Sequence, residues 1–225
     1  MPVELPERSP VVQDYAKAIY ALELRSGEAV GNNELAERLD VPPGTASAMV
    51  KRLDELGLAE HTPYHGVRLT DAGRRVALRT LRRHRLLELF LVETLELPWD
   101  RVHAEAERLE HSLSNELEEA IAERLGNPTH DPHGDPIPSA ELVLEEPDTV
   151  GLAELEIGAA ARFVRVSDAD PAVLRLLGER GVKPGRSLRL VEREPFGGPL
   201  VVRIGRRTES LPLEIARSMR MEPET

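Results

Sequence analysis

A Pro-Pro-Gly turn between two short apolar periods is the feature that most restricts how this chain folds. The run DVPPG at 40–44 follows a helical period over 33–39 and precedes a second one over 45–56. Because proline removes a backbone donor and glycine relaxes the backbone, neither helix continues through this turn. Gly57 is typical of the position that follows a helix C-terminus. The pattern predicts two short helices joined by a tight connection.

The residues on either side extend this unit. An amphipathic period over 10–25 predicts a preceding helix, and Asn32 or Asn33 is expected to cap the helix over 33–39. The turn residues at 63–66 separate two short strands, which are expected at 58–61 and 67–69. A helix-turn-helix that is followed at once by a hairpin is a winged helix.

Two longer helical periods follow the hairpin. Thr70 is expected to cap a helix over 71–96, and Pro98 separates it from a second helix expected over 100–125. The expected boundaries are a winged helix-turn-helix domain at 1–73 and a helical domain at 74–140.

The remainder of the chain changes character. Residues 126–150 contain five prolines and show little periodicity, which predicts an irregular segment with one ordered patch at 130–133. The part of this segment that is expected to link the helical domain to the C-terminal module is 141–150. Short strands are then expected at 162–166, 187–192 and 200–204, with a small helix at 171–178. We therefore expect a compact β-barrel-like module at 151–225 and an α+β fold class with several domains.

The composition excludes several classes of protein. The chain has 225 residues and no cysteine, so disulfides and thiolate metal sites are excluded and only nitrogen and oxygen ligands remain. No apolar run has the roughly 20 residues that a membrane span needs, and the acidic, proline-rich N-terminus does not resemble a signal peptide. We expect a cytoplasmic protein with no membrane partner.

The charge distribution points to DNA. The net charge of −11 argues against unspecific coating of nucleic acid, yet nine basic and only four acidic residues lie between positions 41 and 85. The second helix of a helix-turn-helix enters the major groove with its N-terminus first. The expected DNA-contacting residues of this helix and of the wing are Pro42, Pro43, Thr45, Ser47, Ala48, Lys51, Arg52, Tyr64 and His65.

A second group of residues points to a metal ion. In VHAEAERLEH, the side chains of His103, Glu107, Glu110 and His111 fall within about 100° of arc on one helix. His84 and Glu88 repeat the i, i+4 spacing one helix earlier. Imidazoles and carboxylates without thiols suit Mn²⁺ or Fe²⁺, although solvated Glu-rich helix faces are the ordinary alternative.

These motifs together resemble the metal-dependent repressors of the diphtheria toxin repressor and manganese transport regulator family. The resemblance covers nearly the whole chain, through VVQDYAKAIYAL, GVRLTDAGR, RRHRLLELFL, VHAEAERLEH and DPHGDPIP. It implies a winged-helix domain, a helical dimerisation domain and a C-terminal SH3-like domain. It also implies a homodimer that binds palindromic operators, with a divalent metal as corepressor and no small organic substrate.

The resemblance also implies a primary metal site. Carried over by position, its ligands are Asp14, His84, Glu107, Glu110 and His111. The iron-responsive branch has Met and Cys where this chain has Asp14 and Glu107, and the exchange of sulfur for hard oxygen favours Mn²⁺ over Fe²⁺. Lys17 departs from some manganese regulators, which carry a glutamate there that helps to bind a second, paired ion.

A second metal site is also implied. The family pattern combines Glu88 with His103, or with Asp131 and His133, and adds an acid from the C-terminal module, for which Asp168 and Asp170 are the candidates. The alternative is that DPHG is a tight turn whose Asp and His only cap backbone groups.

The sequence therefore predicts a manganese-activated repressor of metal-uptake genes, in which the metal ties the first helix to the dimerisation domain. An iron-responsive regulator of the same family is the nearest alternative. A metallohydrolase with the same His/Glu set, which would need an open coordination position and a substrate cleft, and a metal-independent winged-helix regulator are the others.

Overall fold

The structure is a computed structural model that describes residues 9–63 and 65–224. The helices are α1 (Pro10–Ser26), α2 (Asn32–Arg38), α3 (Pro43–Glu55), α4 (Asp71–Glu93), α5 (Val102–Leu109), α6 (Asn115–Arg124), α7 (Pro171–Glu179) and α8 (Leu213–Ser218). The strands are β1 (Ala59–Thr62), β2 (Gly66–Leu69), β3 (Val150–Gly151), β4 (Ala160–Val166), β5 (Ser187–Arg193), β6 (Leu200–Ile204), β7 (Arg207–Leu211) and β8 (Met219–Pro223). No helix in the described ranges is long and apolar enough to cross a membrane.

The described chain divides into two compact units. The first holds the residues up to His84, together with Glu107–Glu119 and Pro138–Leu144, and the second holds the other described residues.

The predicted winged helix is confirmed in the first unit. The helices α1, α2 and α3 share one apolar core with the β1–β2 hairpin, in which Ile19, Leu35 and Leu53 are fully buried. The hairpin is antiparallel, and its register pairs Ala59 with Leu69. Burial of these apolar side chains stabilises the three helices, which would be only marginally stable as isolated peptides in water.

The predicted cap of α2 is wrong. Gly31 is the N-cap residue, without a side-chain capping bond, and Asn32 is already the first helical residue. The Asn32 side chain instead donates from Nδ2 to Ser47 Oγ at 3.1 Å. The amide therefore links α2 to α3 instead of capping its own helix.

The start of α4 follows the sequence prediction. Thr70 Oγ1 accepts a hydrogen bond from Gly73 N at 3.2 Å, as an N-cap residue does. Gly73 approaches the chain so closely that a Cβ atom there would lie 1.9 Å from the carbonyl oxygen of Leu58. This contact fixes where α4 leaves the wing.

The end of α4 comes earlier than predicted, at Glu93 and not at 96. Glu96 adopts a left-handed backbone with φ of 57°, and Leu97 N donates back to Leu91 O at 3.1 Å. The chain therefore turns out of the helix before it reaches the proline at 98.

The single helix predicted over 100–125 is wrong. The α5 helix ends at Leu109, a 3-10 turn covers Glu110–Ser112, and α6 begins at Asn115. Leu113 is extended, and Ser114 Oγ accepts from Leu117 N at 3.1 Å, as an N-cap residue does. A serine cap inside the apolar period therefore starts a new helix, and it takes Glu110 and His111 off the helical face on which the spacing placed them.

The second unit contains an antiparallel sheet with the strand order β3-β8-β4-β5-β6-β7. Its inner face packs on α7 and α8 around Phe163, Leu177 and Leu190, which are all fully buried. The small C-terminal β module and the α+β fold class predicted from the sequence are confirmed. The strands β3, β7 and β8 and the helix α8 were not predicted, because β3 has only two residues and β7 is a mostly exposed, polar edge strand without alternation.

The proline-rich segment after α6 contains the predicted ordered patch. Val166 N on β4 donates to the carbonyl oxygen of His133 at 3.0 Å. Gly134 has a positive φ of 88°, and a Cβ atom there would lie 1.8 Å from Val164 O. Glycine is therefore required for this close approach to β4.

The close contact at Gly73 generates a stability prediction. Gly73→Ala is expected to lower the free energy of unfolding by about 2 kcal/mol or more, because the new methyl group meets a backbone carbonyl that cannot move aside. Urea denaturation followed by circular dichroism, in a chelating buffer, measures the change.

Gly44→Ala is the matched control. It also lies near the start of a helix, but nothing lies within 4 Å of the added Cβ, so this change is expected to be neutral or to stabilise by up to ~1 kcal/mol. Equal free energies for the two variants would show that Gly73 does not fix the start of α4.

Candidate metal centre

The five residues predicted for the primary site come together in the first unit. Asp14 lies on α1, His84 on α4, Glu107 near the end of α5, and Glu110 and His111 on the 3-10 turn. Ligand atoms of Asp14, Glu110 and His111 lie within 4.8 Å of one another, and the same holds for His84, Glu107 and Glu110. Glu110 belongs to both groups and is therefore the centre of the cluster.

Glu110 is a fully buried carboxylate with a basic partner on each oxygen. Oε2 lies 2.5 Å from His84 Nδ1, and Oε1 lies 2.6 Å from Lys17 Nζ. Burial of a carboxylate is costly unless it is paired with charge or hydrogen-bond donors. The buried position of Glu110 is thus stable only because basic groups from α1 and α4 reach it.

His111 is oriented by a residue that the sequence did not reveal. Its Nδ1 lies 2.7 Å from Gln13 Oε1, and its Nε2 lies 3.0 Å from Asp14 Oδ1. Because an amide oxygen only accepts, Nδ1 carries a proton and Nε2 is the atom that faces the carboxylates. This is the orientation that a metal-ligating imidazole needs. No sequence signal linked Gln13 to a histidine 98 residues away.

Lys17 lies among the acids of this cluster. Nζ is 2.6 Å from Oε1 of Glu107 and 2.6 Å from Oε1 of Glu110, and the side chain is 18% exposed. Burial acts to lower the pKa of Lys17, but the two carboxylates raise it above its usual value. The ammonium is therefore charged and bridges both glutamates.

The cluster contains more negative than positive charge. Burial raises the pKa of Asp14 most, Glu110 and Glu107 raise it further, and His111 and Lys17 oppose them. The three carboxylates and two imidazoles form a donor set that fits one hard divalent cation. On this test the residues suit a manganese or iron ion.

A second acidic and histidine cluster lies in the second unit. Glu88 is fully buried on α4, and its ligand atoms lie within 4.8 Å of those of Asp131 and His133. On its other side, His103 Nδ1 is 3.2 Å from Glu88 Oε1 and 2.9 Å from Asp168 Oδ2. The two ligand combinations left open by the sequence therefore converge on the same glutamate.

One buried ring nitrogen in this second cluster faces the acids without a close hydrogen bond. His133 Nε2 lies 2.8 Å from the carbonyl oxygen of Trp99, so this nitrogen carries a proton. Within the described chain, His133 Nδ1 has no hydrogen-bond partner and lies 3.7 Å from Glu88 Oε2. A buried ring nitrogen without a close hydrogen-bond partner needs an explanation, and a ligand position for a metal ion, taken up once this nitrogen has lost its proton, supplies one.

The turn alternative for DPHG also has a structural basis. Asp131 Oδ1 accepts from His133 N at 2.8 Å and from Asp135 N at 2.9 Å, as the residue that closes an Asx turn does. Burial raises the pKa of Asp131 well above its usual value, with Asp135 and Glu88 adding to the effect. Asp131 therefore shapes the turn and also lies in the acidic cluster.

Asp170, which was the other candidate from the C-terminal module, has a different place. Its Oδ1 accepts from Ala172 N at 2.8 Å and caps α7. The structure brings Asp168, and not Asp170, to the second cluster.

The predicted DNA-contacting residues lie on one face of α3 and on the wing. Ala46, Val50 and Leu53 are buried on the opposite face of α3. The exposed residues are Pro42, Pro43, Thr45, Ser47, Ala48, Lys51, Arg52 and, on the wing, His65. Tyr64 lies outside the described residues. Small side chains at the N-terminal end of α3 and basic ones further along are suited to a DNA groove and its phosphates.

Comparisons with known protein families agree across the chain. The family described as "Iron dependent repressor, N-terminal DNA binding domain" matches residues 8–67, and "Iron dependent repressor, metal binding and dimerisation domain" matches residues 70–139. The family described as "FeoA domain" matches residues 150–223.

Individual relatives cover almost the whole chain. The iron-dependent repressor IdeR of Mycobacterium tuberculosis is 34% identical over 92% of this chain and 95% of its own length. The diphtheria toxin repressor of Corynebacterium glutamicum is 31% identical over 92% of this chain and 94% of its own.

Solved structures of metal-dependent repressors are also similar to this chain over almost its whole length. A manganese-dependent transcriptional repressor in complex with manganese is 40% identical, covers 95% of this chain and 100% of its own, and has a TM-score of 0.87. The manganese regulator SloR is 30% identical, covers 95% of this chain and 98% of its own, and has a TM-score of 0.75. These relatives are repressors and not enzymes, which removes the metallohydrolase alternative. The chain belongs to the diphtheria toxin repressor family of metal-dependent, DNA-binding transcriptional repressors.

Proposed function

We propose that this protein is a manganese-activated repressor of metal-uptake genes that binds a palindromic operator as a homodimer in the cytoplasm. The observation that carries the proposal is the cluster around Glu110, in which Asp14 and Glu107 offer oxygen and not sulfur. The proposed primary ligands are Asp14, His84, Glu107, Glu110 and His111.

The chemistry of these ligands supports manganese. Carboxylate oxygens suit hard ions such as Mn²⁺, whereas thiolate and thioether sulfur suit softer ones. This chain is similar both to solved structures of repressors named for manganese and to repressors named for iron, so similarity alone does not discriminate between the two ions. The identity of Asp14 and Glu107 therefore carries the choice, with an iron-responsive regulator as the alternative.

The position of Asp14 suggests how metal controls DNA binding. Asp14 lies on α1, which shares its apolar core with the recognition helix α3. The other proposed ligands lie on α4, α5 and the 3-10 turn. When bound, a divalent ion supplies the positive charge that these carboxylates lack. Asp14 and His111 then hold α1 against the turn, which limits the positions that α3 adopts.

This arrangement makes metal and DNA linked ligands. If the metal-bound form is the one in which α3 fits the groove, metal raises DNA affinity, and DNA raises metal affinity by the same factor. In a homodimer, the fixed position of α3 in each protomer sets the spacing of the two recognition helices at about one DNA turn.

We further propose a second metal centre formed by Glu88, His103, Asp131, His133 and Asp168. Glu88 lies on α4, His103 on α5, and Asp168 follows β4. An ion shared by these residues would hold the sheet to the helices within the second unit. The position of His133 Nδ1, which faces Glu88 Oε2 at 3.7 Å without a close hydrogen bond, supports this proposal.

The corepressor role is tested by operator binding. Wild-type protein is expected to bind its operator about 10- to 100-fold more tightly with Mn²⁺ than with a chelator. Asp14→Asn and Glu110→Gln are expected to lose most of this increase, because each removes a charged ligand. Fluorescence anisotropy with labelled operator DNA, selected from random sequence, measures it.

Glu119→Gln serves as the control, since it neutralises an exposed acid outside both clusters. It is expected to keep the full response to Mn²⁺. Equal DNA affinity of the wild type with metal and with chelator would rule out the corepressor role.

The choice of metal is tested by replacing oxygen with sulfur. The double variant Asp14→Met, Glu107→Cys is expected to lower the ratio of Mn²⁺ to Co²⁺ affinity by about tenfold or more, because sulfur ligands favour the softer ion. Anaerobic competition with a metal indicator gives the ratio. An unchanged ratio would mean that these two positions do not determine selectivity.

The second centre is tested by its pH dependence. Hydrogen bonds that the His103 imidazolium donates to Asp168 and Glu88 raise the pKa of His103 to about 10. Burial lowers the pKa of His133, but Glu88 and Asp131 raise it overall to about 9. Both imidazoles are therefore protonated near neutral pH without metal, and a ligating imidazole must lose its proton. Metal binding at this centre is expected to release protons and to become tighter as pH rises from 7 towards 9.

Calorimetry in buffers of different ionisation enthalpy counts the protons released. His103→Gln and His133→Gln are each expected to reduce that number and to flatten the pH dependence. A proton count that neither change affects would place the metal elsewhere.

A further inference from the structure

The ammonium group of Lys17 occupies the carboxylate oxygens that a metal ion at the primary centre would use. We propose that Lys17 is a built-in cation that competes with the divalent ion for Glu107 and Glu110, and so sets the metal concentration at which the repressor responds. This inference rests on the proposed function, because it concerns the regulation of the same site.

The geometry shows how closely Lys17 is integrated into the cluster. Nζ contacts Oε1 of Glu107 and Oε1 of Glu110, each at 2.6 Å. Both are short, charge-assisted hydrogen bonds, which are stronger than bonds between neutral groups. Since the lysine side chain is 18% exposed and Glu110 is fully buried, water screens the Lys17–Glu110 pair weakly; the Glu107 side chain is 40% exposed, so its pair with Lys17 is screened more.

A lysine ammonium and a metal ion cannot use these oxygens in the same way at the same time. A charged ammonium has three donors and no lone pair, so it cannot act as a ligand. It also repels a divalent ion within a few ångströms. Metal entry therefore requires Nζ to withdraw from at least one of the two glutamates, and part of the metal's binding free energy is spent on this exchange.

The position of Lys17 on α1 means that the replacement of its ammonium by a metal ion affects how α1 is held. Lys17 lies one helical turn after Asp14 on α1, and its partners lie on α5 and the 3-10 turn. The ion pairs of Lys17 thus link α1 to the segment that metal binding is proposed to join. The response to metal is then a replacement of a weaker cationic link by a stronger one.

Removal of the charge tests the competition. Lys17→Met keeps the length of the side chain and removes the ammonium, while Lys17→Arg keeps a positive charge. We expect Lys17→Met to bind Mn²⁺ at the primary centre at least about tenfold more tightly than the wild type, which corresponds to 1.4 kcal/mol. Lys17→Arg is expected to bind no more tightly than the wild type.

The binding step of the primary centre is identified within the same experiment. Competition with a metal indicator resolves successive binding steps, and the step lost in Asp14→Asn belongs to the primary centre. Arg25→Met is the matched control: Arg25 lies on α1 like Lys17 and forms an ion pair of 2.7 Å with Glu34 of α2, but this pair is exposed and neither residue belongs to the cluster. It is expected to leave Mn²⁺ affinity unchanged.

A second measurement follows thermal unfolding, first with a chelator and then with Mn²⁺. In the presence of a chelator, Lys17→Met is expected to unfold at a lower temperature than the wild type, because Glu107 and Glu110 lose their shared ammonium. Saturating Mn²⁺ is then expected to raise its unfolding temperature by more than it raises that of the wild type. If Lys17→Met does not fold without metal, Lys17→Gln, which can still donate hydrogen bonds, replaces it in both measurements.

The outcomes separate this inference from the proposed function. Unchanged or weaker Mn²⁺ affinity in the folded Lys17→Met or Lys17→Gln variant overturns the role of Lys17, even if the wild type responds to metal. If the wild type does not bind Mn²⁺ at this centre but Lys17→Met does, the competition is supported and the manganese-activated function is rejected. If neither protein binds, both proposals fail.

Discussion

The buried carboxylate of Glu110 is the constraint on which the candidate regulatory centre depends. A fully buried negative charge is tolerated only with close positive or donating partners, and Glu110 obtains them from two other helices through Lys17 and His84. Because these partners lie on α1 and α4, the requirement of one side chain joins elements that are far apart in sequence. One of these elements, α1, shares its core with the recognition helix.

The second unit applies the same principle around a different residue. Glu88 is also fully buried, and it is shared between His103 with Asp168 on one side and Asp131 with His133 on the other. In both clusters a hydrogen bond to one ring nitrogen orients an imidazole: His111 bonds to Gln13, and His133 bonds to the Trp99 carbonyl oxygen. A backing hydrogen bond of this kind leaves the other ring nitrogen directed at carboxylates, which is how proteins prepare histidines for metal ions.

The two clusters differ in how they are balanced without metal. In the first, the ammonium of Lys17 neutralises part of the acidic charge, so the carboxylates are held together by a group of the chain itself. In the second, protonated imidazoles have this role, since acidic partners raise the pKa of His103 to about 10. A lysine must move away to admit a metal ion, whereas a histidine needs only to release a proton and can then become a ligand.

The sequence by itself determined the order of most elements, the winged helix and the residue types of the candidate metal ligands, because turn residues, apolar periods and hard donor atoms are local properties. It did not determine the break between α5 and α6, where the Ser114 cap interrupts an apolar period that continues through it. It also did not reveal Gln13 behind His111, the bridging position of Lys17 or the choice of Asp168 over Asp170. These features depend on which side chains from distant segments approach one another, and only the tertiary packing of the helices and the sheet decides that.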